Sequence, residues 1–209
     1  MTQNAKNIIS SNWTSLVKPA EYFLEAIDGK TSVFRVEPLP QGFGLTLGNA
    51  LRRVLLSSLQ GAAITSVRIE GVDHEFSTVS GMREDVTEVI LNLKGVVVKY
   101  GGRENKRVRL KASGPCVVTA GMIETSDDIE IINVDHVICH LDKNAKLDME
   151  MVIGVGKGYV PASKHRDADR PISVIPIDAI FSPVTRVTYK VENSRIGSET
   201  EYDRMMLHI

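Results

Sequence analysis

Apolar positions change their spacing several times along this chain, and each change predicts a different element. Leu47, Ala50, Leu51, Val54 and Leu55 follow the three-and-four spacing of an amphipathic helix and are expected to face a core. Thr46 is placed as its N-cap, and a helix from there to Leu59 would be about 21 Å long. The spacing returns at Val86, Val89, Ile90 and Leu93 within EDVTEVILNL (84–93). There Glu84 and Asp85 suit the positive end of a helix dipole.

Elsewhere the period is two. Val67 and Ile69 oppose Arg68 and Glu70 within Ile64–Glu70, and Lys106, Arg107, Arg109 and Lys111 oppose Val108, Leu110 and Ala112. Residues 146–155 put Leu147, Met149, Met151, Ile153 and Val155 on one face. Further strands are expected over 22–37, broken by an Asp28-Gly29 turn and stopped by Pro38 and Pro40, and around 174–180 and 184–192. Residues 1–20 read as a loose polar arm, and KHRDADRP (164–171) as a solvated loop. Met205, Leu207 and Ile209 alternate like the inner face of a strand with no polar tail behind them, the pattern of a shortened chain. Strands with one wet face imply antiparallel pairing. Mostly antiparallel sheets around two helices place the chain in the α+β class.

Composition narrows the setting. The chain has 209 residues, 43% hydrophobic and 24% charged, and its formal net charge of −1 gives no global attraction to DNA or anionic membranes. No apolar run approaches the ~20 residues of a spanning helix. MTQNAKNIISSNW lacks the basic start and apolar core of a signal peptide. Cys116 and Cys139 read as reduced thiols, so a cytoplasmic setting is expected and the triplet Asn12-Trp13-Thr14 is not read as a glycosylation site.

The stretch GFGLTLGNALRRVLLSSL (42–59) raises a choice between a phosphate-cradling loop and a protein joint. A dinucleotide fingerprint needs a third glycine at position 47, where Leu47 stands, and a preceding buried strand, where two prolines stand. Leu56 points away from the leucine stripe, beside Asn49, Arg52 and Arg53. A second surface covering that side would gain roughly 1.5–3 kcal/mol from Leu56, and arginine suits such surfaces; a lone exposed leucine is the alternative.

Other constellations are weaker. His136, Cys139 and His140 form one cluster where zinc wants about four ligands, so core packing and local hydrogen bonds are expected and no metal. GVGKG (154–158) departs from the phosphate-loop pattern at Gly158 and reads as a hairpin turn. The basic run of Lys99, Arg103, Lys106, Arg107, Arg109 and Lys111 carries Tyr100 as its one aromatic and reads as a wet strand face, not a nucleic-acid groove. No nucleophile–base grouping or Asp-rich triplet for Mg²⁺ is legible, so no catalytic residue and no cofactor is expected.

EPLPQGFGLTLGNALRRVLLSSLQGAAI (37–64) resembles the bacterial RNA polymerase alpha-subunit amino-terminal domain family. So do, in the same order, GVDHEFSTVSGMREDVTEVILNLKGV (71–96), HVICHL (136–141), GKGYVPAS (156–163) and RPISVIPIDAIFSPVTRVTYKVE (170–192). The resemblance implies a non-catalytic assembly subunit of a nucleotidyltransferase, on which the beta and beta-prime subunits gather. It implies that Phe43, Leu47, Leu51 and Leu55 lie near a two-fold axis with a second copy. It also implies that Asn49, Arg52, Arg53 and Leu56, with His74, Glu75, Phe76, Ser77, Thr78, Arg83, Glu84 and Asp85, face the large subunits. It divides the chain into a dimerisation domain from 1–60 and 182–209 and an inserted domain, 61–181. The family continues with a further helix at the dimer seam, a linker and a promoter-contacting domain. Without these after Ile209, a weakened homodimer and no promoter DNA contact are expected.

Overall fold

The structure, a computed structural model, describes residues 19, 21–165, 171, 173–196 and 199–209. Apart from residue 19, the arm expected over 1–20 lies outside them, as does most of the loop expected at 164–171. Lys164 and His165 belong to a short 3-10 turn, Ala162–His165. In chain order the elements are β1 (Glu21–Ala26), β2 (Ser32–Pro40), α1 (Phe43–Ser57), β3 (Gln60–Ile69), α2 (Val86–Lys94), β4 (Val98–Tyr100), β5 (Lys106–Ser113) and β6 (Cys116–Thr119). There follow β7 (Ile123–Glu124), β8 (Ile129–Ile131), β9 (Val137–Leu141), β10 (Lys146–Lys157), β11 (Tyr159–Val160), β12 (Ile175–Pro176), β13 (Ala179–Ile180), β14 (Thr188–Ile196) and β15 (Glu199–His208). The sheets are antiparallel throughout, an α+β architecture.

The chain divides into two compact units, one from Met1–Leu56 and Val184–Ile209, the other Ser57–Pro183. The first holds a four-stranded sheet, ordered β1-β2-β15-β14. Tyr189, Val191, Met205, Leu207, Val36 and Phe34 share one face through their cross-strand pairings, and α1 lies on this face. Its contact is made by glycine: a Cβ on Gly44 would meet Val191 Cγ1 at 2.8 Å, and one on Gly48 the Tyr189 ring at 2.6 Å. The opposite face is polar, and there Glu37 accepts from Arg204 and Ser194. Burial pushes the Glu37 carboxyl up, but those bonds outweigh it and hold the group below the ordinary carboxylate range.

Two expectations fail here. Pro38 and Pro40 do not stop the strand, since β2 runs through both to pair with β15. Pairing with β1 ends at Glu37, so the missing proline N–H groups fall in an edge segment that does not need them. The last hairpin begins at Thr188 rather than 184.

The second unit is built on a sheet ordered β7-β5-β10-β3-β4-β8, with β12 also on β3. Met149, Met151 and Ile153 of β10, Val67 and Ile69 of β3, and Leu110 of β5 are buried on its inner face. The second helix forms as the period demands, starting two residues late, with Val86, Val89 and Leu93 buried and Asp85 accepting from Glu88 N at 2.7 Å. GVGKG is corrected: Gly154 and Gly156 lie inside β10, where a Cβ would strike Thr65 or the Phe181 ring, and only Gly158, at φ +61°, turns the chain.

Candidate functional site

In the first unit the candidate surface is α1, and it packs the other way round from its periodicity. The helix starts at Phe43, a turn before Thr46, whose hydroxyl donates to the Gly42 carbonyl from inside the first turn. Gly44 and Gly48 are its buried residues. The stripe expected in the core is outside: Phe43, Leu47, Ala50, Leu51 and Val54 are exposed and Leu55 is half-buried. Glycine permits this inversion because its absent side chain lets the helix backbone settle on the β14 side chains. The same absence erases the hydrophobic signal that would have marked the inner face.

The phosphate reading of the glycine-rich stretch meets a direct obstacle. The Gly42 and Gly44 N–H groups, which a phosphate would need, donate to the Asp203 carboxylate at 2.8 and 3.0 Å. Asp203 is buried and reaches them from β15, so it caps the helix across the fold. No local pattern in the sequence announces this residue.

On the other flank of α1, Arg52 donates from Nε to the Val187 carbonyl at 3.1 Å, which fixes its stem against the first unit. Asn49 and Arg53 are exposed and Leu56 is half-buried, partly covered by its own unit. Leu45 is exposed on this side, although the stripe analysis passed over it.

In the second unit, His74–Thr78 and Arg83–Asp85 belong to an ordered ledge between β3 and α2. Val72 and Val86 bury its two ends. Between them, Ser77 N donates to His74 O, Ser77 Oγ lies 3.1 Å from His74 Nδ1, and Thr87 Oγ1 donates to Glu75 O at 2.9 Å. Gly81, at φ +78°, makes the bend, with no room for a Cβ beside Ala145. His74, Glu75, Thr78, Arg83 and Asp85 are exposed, and Phe76 stands out at 80% exposure, an aromatic ring presented by a fixed backbone.

Glu84 is turned inward instead. It accepts from the His140 backbone N–H at 2.7 Å and lies 2.5 Å from His140 Nδ1. Burial pushes its carboxyl up, yet the His140 bonds outweigh that and hold it low. The other members of the proposed metal cluster are also engaged locally: His136 Nε2 lies 2.8 Å from Asn92 O, and Cys139 is fully buried with its thiol pushed up to about 12 by burial, then by the nearby Glu84 charge.

The basic run is neutralised across the ladder. Arg109 donates twice to Asp148, Arg107 and Arg68 share Glu150, Lys106 pairs with Asp128 and Lys99 with Glu130. Asp148 and Glu150 stand opposite Lys111 and Arg109 in the register, so the acidic row of β10 answers the basic row of β5. A cleft of about 370 Å³ on this face, lined by Ser66, Arg68, Asn105, Arg107 and Glu150, offers no uncompensated positive charge.

Comparison with known proteins converges on one family. Residues 67–182 match the model described as the RNA polymerase Rpb3/RpoA insert domain. Over 204 residues the chain is 55% identical to the DNA-directed RNA polymerase subunit alpha of Rickettsia akari (strain Hartford), and 54% identical to those of Rickettsia felis and Rickettsia prowazekii (strain Madrid E). These alignments cover 96% of the chain, which spans 60% of each relative's length.

Proposed function

Because this chain belongs to the bacterial RNA polymerase alpha-subunit family, we propose that it is a non-catalytic assembly subunit of DNA-directed RNA polymerase. Two copies join through Phe43, Leu47, Leu51 and Leu55, in the unit formed by both ends of the chain. The dimer is then the platform for the beta and beta-prime subunits, which meet Asn49, Arg52, Arg53 and Leu56 and, on the inserted unit, His74–Thr78 with Arg83, Glu84 and Asp85. Nucleotidyl transfer takes place on those partners, in the cytoplasm, and this chain makes no promoter contact. The observation that carries the reading is the inverted packing of α1, which spends glycines on its own core and presents its large apolar side chains outward. Exposed apolar stripes of this kind mark protein interaction surfaces.

Charge reversal at Arg53 tests the platform. Arg53→Glu is expected to melt at the wild-type temperature but to lose co-purification of the large subunits. Co-purification at the wild-type level would overturn the assignment.

A further inference from the structure

Strand β1 is the free edge of the first unit's sheet, and its sequence EYFLEA is unusually apolar for that position. The register shows which way its side chains point. Tyr22 pairs with Val36 and Leu24 with Phe34, and these pair onward with Met205 and Leu207. Tyr22 and Leu24 therefore share the sheet face on which α1 lies. Phe23 pairs with Arg35 and looks the other way, its ring 4.5 Å from the Arg35 guanidinium. Tyr22 is 73% exposed and Leu24 68%, with the Tyr22 and Phe34 ring centroids 6.1 Å apart.

Area decides what covers this face. Phe43, Leu47, Leu51 and Val54 are 42, 38, 36 and 50% exposed, together roughly 300 Å² of apolar surface at the usual size of such side chains. A standard interface buries about 800 Å² per partner, and some 65% of that is apolar between identical chains, or about 520 Å². The helix alone falls short. Tyr22 and Leu24 add roughly 250 Å², which closes the difference.

We propose that the surface joining two copies of this chain extends from α1 across the sheet to β1, with Tyr22 and Leu24 buried against the second copy. The inference rests on the dimer reading above and adds a second patch to it. Sedimentation equilibrium of the full chain and its variants over a concentration series tests both parts separately. Leu24→Glu and Tyr22→Lys are each expected to raise the dimer dissociation constant at least tenfold. Phe23→Gln, on the same strand but the opposite face, is expected to change it less than twofold. Leu51→Glu reports on α1 alone.

If Leu51→Glu dissociates the dimer while Leu24→Glu and Tyr22→Lys leave it intact, the extension is overturned and the helix seam stands. A wild-type chain that is monomeric throughout, or a dimer insensitive to Leu51→Glu, overturns the helix seam and this inference with it. Weakening by Phe23→Gln equal to that of Leu24→Glu overturns the facial assignment. Unchanged dimerisation of the β1 variants with lost binding of the large subunits gives the face to those subunits instead, and also overturns the proposal. Should Leu24→Glu unfold the chain, Tyr22→Lys, at the more exposed position, gives the same reading.

Discussion

A methyl group at Gly48 has no place to go: the Tyr189 ring lies 2.6 Å from where it would sit. Gly48→Ala therefore forces α1 off the sheet or the ring out of its packing, and overpacking of this kind costs about 1–3 kcal/mol. That outweighs the ~1 kcal/mol alanine gains over glycine in a helix interior. Urea unfolding should show Gly48→Ala to be less stable than wild type; equal or greater stability would mean that the helix does not rest on this glycine. Glu84 carries a pH signature. Its folded pKa lies below its unfolded value, about 4.3, so it adds stability above pH ~4.3 and loses it as pH falls through the folded value. Glu84→Gln should lose about 1–3 kcal/mol at pH 7, with the gap to wild type shrinking at pH 3. A gap of the same size at both pH values would rule out the carboxylate's charge as its source.

Among the elements, those stabilised by a repeating apolar pattern were legible in advance. Helix α2 and strand β10 bury the residues their periods select, because in both the inner face is made of large side chains. In α1 the period identified a helix and a real stripe but assigned the stripe to the wrong side. The resemblance to a known family, not the periodicity, placed Phe43, Leu47, Leu51 and Leu55 on an interface. Distant partners were likewise invisible: Asp203 caps α1 from 159 residues beyond Gly44. Asp203→Ala orphans two N–H groups and should cost about 0.5–2 kcal/mol by denaturant titration, while Asp203→Asn retains an acceptor and should cost less. Equal losses would deny the cap. The basic and acidic rows of β5 and β10 give a further expectation. Removing the acids with Asp148→Asn and Glu150→Gln should create a salt-sensitive affinity for duplex DNA that the wild-type chain lacks. Measurable wild-type binding through this face at low salt would contradict the pairing argument.

At the scale of the whole molecule, the long-range pairings decide the architecture. Strand β2 finds β15 across some 160 residues of sequence, and no local spacing encodes that partner. The intervening unit, Ser57–Pro183, carries a buried core of its own drawn from β3, β5, β10 and α2. Expressed as a separate polypeptide, residues 57–183 should unfold in one cooperative transition; a non-cooperative melt would show that the core needs the chain ends.

Gly61, just after the start of β3, sits with its Cα directly against the Phe181 carbonyl, and Pro183 lies close by. The chain thus enters and leaves the second unit through the same doorway. An inserted body with adjoining ends can be exchanged, enlarged or excised like a cartridge, and a bridge of a few residues in its place would let the remaining segments close into a minimal domain.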